Sequence, residues 1–452
     1  MSTGPISLIV LAVCIALLIV MIVRWKIHPF FTMVIVAILG GFGFGLSPDT
    51  IIDTVSSGFG STIGEIGIII ILGCVIGIIL EETDGALVIG NTILKIAGRS
   101  KSKLAMAVTG FMISIPVFSD SAIVITSPVA KAVSARSGVP LMVLAGALNA
   151  GILATHAMVP PTPGPIAAAG TFGADLGIVI LIGLCAAAAY AIVGSAWANS
   201  KYMRQKYPHV AQIKDIAVAE EGEKLVLSDK EGLPSAFLSF GCILIPVLMI
   251  FANSFGKMLL PENSPFLPWL AFIGSPVFAL LVGVGIALLL NPSKLNKDQV
   301  YQWFSAGVER SGFIIIACGA AGAFAAILGE TGVGNYLGEL IASTGLPSVF
   351  VPFIITALAY VAQGSATVAI MTGAAITAPM IGALALNPAI ATIAVCAGAT
   401  FATHANCSHF WVVTQMFDDM PLKEGFDLVT VQTALGSVAA IIVVWLLSLV
   451  II

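Results

Sequence analysis

Four short polar segments interrupt a strongly apolar chain, and they hold most of the side chains that could bind a ligand or carry a proton. Two lie around Asp120 and His156, and two lie around Ser365 and His404. Carboxylate and imidazole groups exchange protons near neutral pH, and hydroxyl groups bind oxygen-rich ligands. These residue types indicate binding of a small organic acid together with proton transfer.

Asp120 is the candidate for carrying a coupling proton. It lies in Phe118-Ser119-Asp120-Ser121, within a segment that is otherwise apolar. An ionisable side chain at the centre of a bilayer costs about 2.5–3.5 kcal/mol on insertion scales, so a functional role is the default expectation. The alternative is a structural carboxylate that caps a half-helix. The flanking Ser119 and Ser121 are candidates for substrate binding.

One tetrapeptide occurs twice in the chain, as Ala154-Thr155-His156-Ala157 and as Ala402-Thr403-His404-Ala405, 248 positions later. Glu82-Thr83 recurs as Glu330-Thr331 at the same offset. Two landmarks at one offset predict two copies of one unit. In a membrane transporter the binding site lies at the interface between such copies.

The second and fourth polar segments are predicted to break membrane-spanning helices. Four prolines between positions 160 and 165 remove backbone donors and prevent a continuous helix. Unwound backbone at membrane depth is tolerated where it is buried in protein or lines a wet cavity, and the helix ends that it creates favour a carboxylate. The alternative is that each serine or threonine bonds to its own backbone. The candidate substrate-binding residues are Ser119, Ser121, Thr155, His156, Thr162, Gly364, Ser365, Thr367, Thr403, His404 and Asn406.

The composition places these segments in a membrane protein. Of the 452 residues, 58% are hydrophobic and 9% are charged, whereas a soluble domain has about 25% charged residues. Apolar runs long enough to cross a bilayer recur, and spans in lipid are helices when no closed barrel forms. We therefore predict an all-α polytopic membrane protein with lipid around it. The clearest runs are 6–23, 63–80, 176–197 and 431–452.

The distribution of lysine and arginine predicts the topology. With the N-terminus outside, nearly all of these residues fall on the cytoplasmic side and Lys257 alone is external, which satisfies the positive-inside rule. This threading requires two re-entrant hairpins, at about 104–135 and 347–384, that enter from opposite sides. The first is predicted to turn near Phe118-Ser119-Asp120-Ser121 and the second near Gln363-Gly364-Ser365. The prediction is an inverted repeat with halves 1–198 and 236–452, each containing one broken transmembrane helix, joined by a cytoplasmic linker at 199–235.

Signatures of other protein classes are missing from the sequence. There is no Gly-x-x-x-x-Gly-Lys-Ser/Thr loop and no His-Glu-x-x-His motif. The seven cysteines form no Cys-x-x-Cys pair, and His404-x-x-Cys407-x-His409 is too loose to indicate metal. We expect no enzyme activity, no catalytic or metal-ligating residues, no cofactor and no nucleic-acid partner.

At its polar segments the chain resembles the gluconate permease family, the GntP-type gluconate:proton symporters of the ion transporter superfamily, over essentially its full length. The resemblance implies proton-coupled uptake of a sugar acid, or of a related hydroxy or amino acid, across the bacterial inner membrane. It also implies hairpins and broken helices that hold the substrate, and a dimeric scaffold that supports elevator motion. The motifs that carry the resemblance are Thr155-His156 with Pro160-Pro161-x-Pro163-Gly164-Pro165, Gly364-Ser365-Ala366-Thr367-Val368-Ala369, and His404-x-Asn406 leading to Phe410-Trp411.

The chain departs from the family pattern at three places. The family has Tyr-Glu-Val where this chain has Ser119-Asp120-Ser121, His where it has Thr162, and Asp where it has Cys407. A smaller hydroxy acid, a ketodeoxy sugar acid, hydroxybutyrate and D-serine are therefore alternatives to gluconate. Two further alternatives concern the mechanism. Serine, threonine and carbonyl groups at the hairpin tips suit sodium coupling, and a passive anion channel would need no coupling ion.

Overall fold

The structure is a computed structural model that describes residues 5–97, 101–208, 233–261, 263–290, 297–333, 345–417 and 420–451. Most of the predicted linker, residues 209–232, lies outside the described residues. The regular secondary structure of the described ranges is helical, with no β-strand among them.

Ten helices are described before residue 209, and the last of them lies within the predicted linker 199–235. They are α1 (Pro5–Ile19, extended by a π-helical turn Val20–Arg24), α2 (Pro29–Gly43), α3 (Pro48–Glu82), α4 (Gly85–Ala97), α5 (Ser102–Ile113), α6 (Ser119–Ser137), α7 (Leu141–Met158), α8 (Pro163–Phe172), α9 (Leu176–Ala198) and α10 (Lys201–Lys206).

Ten further helices are described after residue 232. They are α11 (Ala236–Leu259), α12 (Leu267–Ile273), α13 (Pro276–Leu288), α14 (Lys297–Thr331), α15 (Phe350–Gln363), α16 (Ala366–Thr377), α17 (Pro388–Gly398), α18 (Ser408–Met416), α19 (Leu422–Gly425) and α20 (Val431–Ser448), which a π-helical turn Phe426–Thr430 precedes.

Within the described ranges, six helical segments are long and apolar enough to cross a membrane. A seventh is obtained if α12 and α13, which meet at an angle of 51°, count as one bent span. The prediction of an all-α polytopic protein is confirmed.

The order of the helices recurs once along the chain. Helix α3 begins at Pro48 and α14 at Lys297, 249 positions later, and each has 35 residues. Helix α6 begins at Ser119 and α16 at Ala366, 247 positions later. Helices α5 and α15 start 248 positions apart, and α7 and α17 start 247 positions apart. These described helices therefore start at nearly the offset of the repeated tetrapeptide.

The packing of the helices recurs in the same way. Helix α5 packs on α7, as α15 packs on α17. Across the halves, α8 packs on α16 and α18 packs on α6. The helix after each break therefore lies against the second helix of the other half's predicted hairpin.

Small residues let the first predicted hairpin pack closely on the helix that carries His156. A Cβ atom at Gly151 of α7 would lie 2.1 Å from the carbonyl oxygen of Ala107 on α5. A Cβ atom at Gly110 would lie 2.4 Å from the carbonyl oxygen of Leu148. Only glycine permits these backbone contacts, and such close packing is typical of helices in membranes.

Candidate functional site

Asp120 lies in the first turn of α6. We expected the turn of this hairpin near 118–121, but the turn falls at 114–118, and Ser119, Asp120 and Ser121 are already helical. The Ser114 hydroxyl donates to the carbonyl oxygen of Val117 at 3.1 Å, which closes the turn earlier than predicted. The Ser119 hydroxyl lies 3.4 Å from Asp120 Oδ1.

The carboxylate of Asp120 contacts the second half of the chain. Ser408 Oγ donates to its Oδ2 at 3.0 Å, and His409 Nδ1 lies 3.0 Å from its Oδ1. Ser408 and His409 begin α18, directly after the second predicted break. Asp120 therefore joins the predicted hairpin of one half to the predicted broken helix of the other.

A buried row of polar side chains continues from His409 into the protein. His409 Nε2 lies 2.8 Å from Asn149 Oδ1, and Asn149 Nδ2 donates to Gln432 Oε1 at 2.8 Å. The Gln432 amide group donates in turn to the carbonyl oxygens of Gly146 and Gly194. Asn149 and Gln432 are fully buried, and His409 is 3% exposed. This row was not predicted from the sequence. Its signal there is limited to single polar residues in the apolar helices α7 and α20.

The repeated tetrapeptide adopts two different structures. Residues 154–157 are helical and belong to α7, whereas residues 402–405 lie in the irregular segment 399–407 between α17 and α18. Ala402 has φ +57°, in the left-handed region. The Thr403 N–H donates to Thr433 Oγ1 at 2.8 Å, and Thr430 Oγ1 donates to the Thr403 carbonyl oxygen at 2.7 Å. Side chains thus replace the helical hydrogen bonds of Thr403.

Segment 399–407 also contacts the second predicted hairpin. The Thr403 hydroxyl lies 2.8 Å from the Tyr360 hydroxyl, which donates to Cys407 Sγ at 3.6 Å. Asn406 Nδ2 donates to the carbonyl oxygen of Val361 at 2.8 Å. The turn of this hairpin falls at Gly364, as expected. The second predicted hairpin therefore contacts segment 399–407. Asp120 of the first predicted hairpin contacts Ser408 and His409, which directly follow that segment.

The first break spans residues 159–162, between α7 and α8. Thr155 and Thr162 are buried, and their hydroxyls bond to carbonyl oxygens of their own segment, Thr162 to Val159 at 2.6 Å. For these two threonines, the structure therefore has the alternative that the sequence left open, in which the hydroxyl bonds to its own backbone. The His156 ring lies 5.9 Å from the Phe118 ring, so it faces the start of α6.

Several predicted site residues keep unused hydrogen-bonding groups. Among the described residues, the buried His156 Nδ1 has no partner, and neither does the side-chain amide of Gln363 beside Gly364. The half-buried Ser121, Ser365 and Thr367 make no side-chain hydrogen bond within the described ranges. A buried polar group without a partner costs about 1–3 kcal/mol, which applies to His156 Nδ1 and to the Gln363 amide.

His404 lies in segment 399–407, and its Nδ1 lies 3.0 Å from the carbonyl oxygen of Ala402. Because a carbonyl oxygen only accepts, Nδ1 is the donor in this contact. In the part of the chain that the structure describes, no three His, Cys, Asp or Glu side chains are grouped so that they could hold a metal ion.

Comparison with known proteins gives a consistent result. The sequence profile of the GntP family permeases matches residues 6–450. An uncharacterised permease of Haemophilus influenzae is 34% identical over 443 residues, covering 96% of this chain and 90% of the relative. A gluconate permease of Pseudomonas aeruginosa is 30% identical over 438 residues, covering 96% and 95%.

The fold also matches solved transporter structures. The structure of MtrF from Neisseria gonorrhoeae, described as illuminating a class of antimetabolite efflux pumps, superposes with a TM-score of 0.69. The match covers 96% of this chain and 97% of that chain, at 13% sequence identity. At this identity the likeness concerns the fold alone.

Proposed function

The chain belongs to the GntP family of permeases, and from that premise we propose that it imports a small organic acid by proton symport. It is a multi-pass protein of the inner membrane. The substrate is a gluconate-like sugar acid or a related hydroxy or amino acid, because relatives that match nearly full length are gluconate permeases. Transport, and not an enzymatic reaction, is the proposed activity.

The observation that carries this proposal is the meeting of ionisable and hydroxyl groups from both halves around segment 399–407. Asp120 on α6 contacts Ser408 and His409, directly after this segment. Tyr360 and Val361 on α15 contact the segment itself. Broken helices with polar groups at the interface of two halves are how secondary transporters build their binding sites.

In this proposal Asp120 carries the coupling proton and the neighbouring groups bind the substrate. His156 and His404 bind the carboxylate of the substrate. The unbonded hydroxyls of Ser121, Ser365 and Thr367 bind its hydroxyl groups. The other members of the proposed site line the same cluster: Ser119, Thr155, Thr162, Gly364, Thr403 and Asn406.

The recurrence of the helices along the chain supports the architecture that we propose. Two inverted halves, 1–198 and 236–452, each contain one re-entrant hairpin, at about 104–135 and 347–384, and one broken helix. The linker at 199–235 is cytoplasmic. Alternating access is proposed to occur by elevator motion in a homodimer. The cross-packing of α8 on α16 and α18 on α6 supports this arrangement.

Transport assays on purified protein in liposomes test the function. A panel of sugar acids, short hydroxy acids and D-amino acids first identifies a substrate by binding competition. The Asp120→Asn variant is then expected to lose uphill uptake and to keep counterflow exchange. Asp49→Asn, at an exposed carboxylate in the first turn of α3, is the control.

Three outcomes would contradict the proposal. Uphill uptake by Asp120→Asn would remove Asp120 from the coupling role. Uptake that follows a sodium gradient and ignores a proton ionophore would identify a sodium-coupled symporter. Passive flux without counterflow would identify an anion channel.

A further inference from the structure

The hydrogen bonds of the row Asp120–His409–Asn149–Gln432 determine where its protons lie, starting from the partners of Gln432. One end of the Gln432 amide lies 2.7 Å from the carbonyl oxygen of Gly146 and 3.0 Å from that of Gly194. Carbonyl oxygens only accept hydrogen bonds, so this end is the NH₂ group. The other end is therefore Oε1, which can only accept.

The orientation of Asn149 follows from that of Gln432. Because Gln432 Oε1 only accepts, the Asn149 atom that lies 2.8 Å from it must be Nδ2. The oxygen of Asn149 then faces His409 Nε2, at 2.8 Å. An amide oxygen also only accepts, so His409 carries a proton on Nε2.

The remaining contact of His409 fixes one further proton. His409 Nδ1 lies 3.0 Å from Asp120 Oδ1. If Asp120 is ionised, Nδ1 must donate and His409 is an imidazolium. If His409 is neutral, its proton is already on Nε2, so the bare Nδ1 must accept from a protonated Asp120. In both states one proton lies between Oδ1 and Nδ1, and the pair is neutral overall.

We propose that Asp120 and His409 share one proton between Oδ1 and Nδ1, that Asn149 and Gln432 position His409 for it, and that this is the proton coupled to transport. The inference deepens the proposed function and rests on it. Loss of the proton places a carboxylate oxygen against the bare lone pair of Nδ1, and the two groups repel each other. Deprotonation therefore weakens the contact between α6 of the first half and α18 of the second half.

Within the row Asp120–His409–Asn149–Gln432, only the Asp120 side chain is substantially exposed. The Asp120 side chain is 42% exposed, whereas that of His409 is 3% exposed. Asn149 and Gln432 are fully buried and end on backbone carbonyl oxygens. Protons therefore enter and leave through Asp120, and Asn149 and Gln432 act as positioning residues.

Among the described residues, two other titratable groups interact electrostatically with the pair, His156 on α7 and Cys407 in segment 399–407. His156 on α7 interacts electrostatically with both Asp120 and His409. Cys407, next to Ser408 at the start of α18, interacts electrostatically with Asp120 and contacts Tyr360. A positive charge on His156 would disfavour an imidazolium at His409. The pH titration of His409 is therefore carried out both in the wild-type protein and in the His156→Gln variant.

Nitrogen NMR of the protein labelled with ¹⁵N-histidine tests the protonation state directly. The chain has five histidines, and the His409 signals are those that the His409→Gln variant loses. Nε2 of His409 is expected to be protonated, and the Asn149→Leu variant is expected to change this tautomer. A His409 ring with a bare Nε2 and a proton only on Nδ1 would overturn the proposal.

Substrate-linked proton uptake in liposomes tests the coupling role. His409→Gln keeps a hydrogen-bonding side chain but has no titratable group. The number of protons taken up per substrate molecule should therefore fall at least tenfold, while counterflow exchange persists. Thr414→Val, whose hydroxyl bonds within the same helix α18, should keep wild-type coupling. Wild-type coupling in His409→Gln would overturn the shared-proton proposal alone. Absence of proton movement in the wild-type protein would overturn proton symport itself, and the NMR result would still decide whether the pair holds a proton.

Discussion

Gly364 lies directly against the backbone of Asn406. A Cβ atom at Gly364 would be 2.4 Å from the Asn406 carbonyl oxygen, and Gly364 has φ +73°. The tip of the second predicted hairpin therefore touches the segment between α17 and α18 through backbone atoms.

The first prediction concerns this contact. Gly364→Ala should strongly reduce substrate binding and transport, because the new methyl group must push the hairpin tip away from Asn406. Gly138→Ala is a matched control, since Gly138 follows helix α6 with φ +70° and a Cβ atom added there would meet no atom within 4 Å. Both changes carry a left-handed strain of about 1–2 kcal/mol. Equal losses of binding in the two variants would contradict a role for the contact.

The second prediction uses the two structures of the repeated tetrapeptide. Ala402→Gly should raise the midpoint of thermal unfolding, because glycine removes a left-handed strain of about 1 kcal/mol at φ +57°. Ala154→Gly should lower the midpoint, because glycine in a helix interior costs about 1 kcal/mol relative to alanine. Thermal unfolding in detergent measures both. Shifts of the same sign would show that the two tetrapeptides are not in different conformations.

The contrast between these two alanines shows what the sequence could predict. Local composition was sufficient for helices in the apolar runs and for the break caused by the prolines at 160–165. It predicted a turn at Gly364, where the structure has one. It also predicted a broken helix at 402–409, and residues 399–407 are irregular in the structure. It could not predict that residues 154–157 stay helical, or that Thr430 and Thr433, about 30 positions later, bond to the backbone of Thr403.

The candidate site shows the same limit. Asp120 was singled out because a carboxylate in an apolar segment is costly. Its partner His409 is 289 positions away, and Asn149 is paired with Gln432 over 283 positions. No spacing rule connects residues at such distances, so only the packing of α6, α7, α18 and α20 brings them together.

The third prediction concerns Arg310, whose guanidinium group lies 4.9 Å from the centre of the Phe118 ring. The Glu81 carboxylate accepts hydrogen bonds from it at 3.1 and 3.2 Å, so α3 and α14 are joined beside the start of α6. Glu81→Gln leaves this cation without its carboxylate partner. We expect the free energy of unfolding to fall by about 1–2 kcal/mol. This is less than for a fully buried ion pair, because Arg310 is 35% exposed.

The double variant Glu81→Gln with Arg310→Gln provides the control. It removes both charges, so its unfolding midpoint should lie above the value obtained by adding the two single effects. Additive effects would show that the ion pair contributes nothing beyond the separate side chains.

The fourth prediction concerns Asp427, which ties the end of α10 to the turn before α20. Its Oδ2 accepts from the hydroxyls of Tyr202 and Tyr207, at 3.2 and 2.7 Å, and it forms an ion pair with Lys206. Asp427→Asn weakens all three interactions, whereas Lys206→Met removes one. The unfolding midpoint should therefore fall further for Asp427→Asn than for Lys206→Met, and added salt should reduce the Lys206 effect because that side chain is partly exposed to solvent. Equal midpoints in the two variants would mean that the tyrosine hydroxyls add nothing, and that the ion pair alone holds the end of α10 against the second half of the chain.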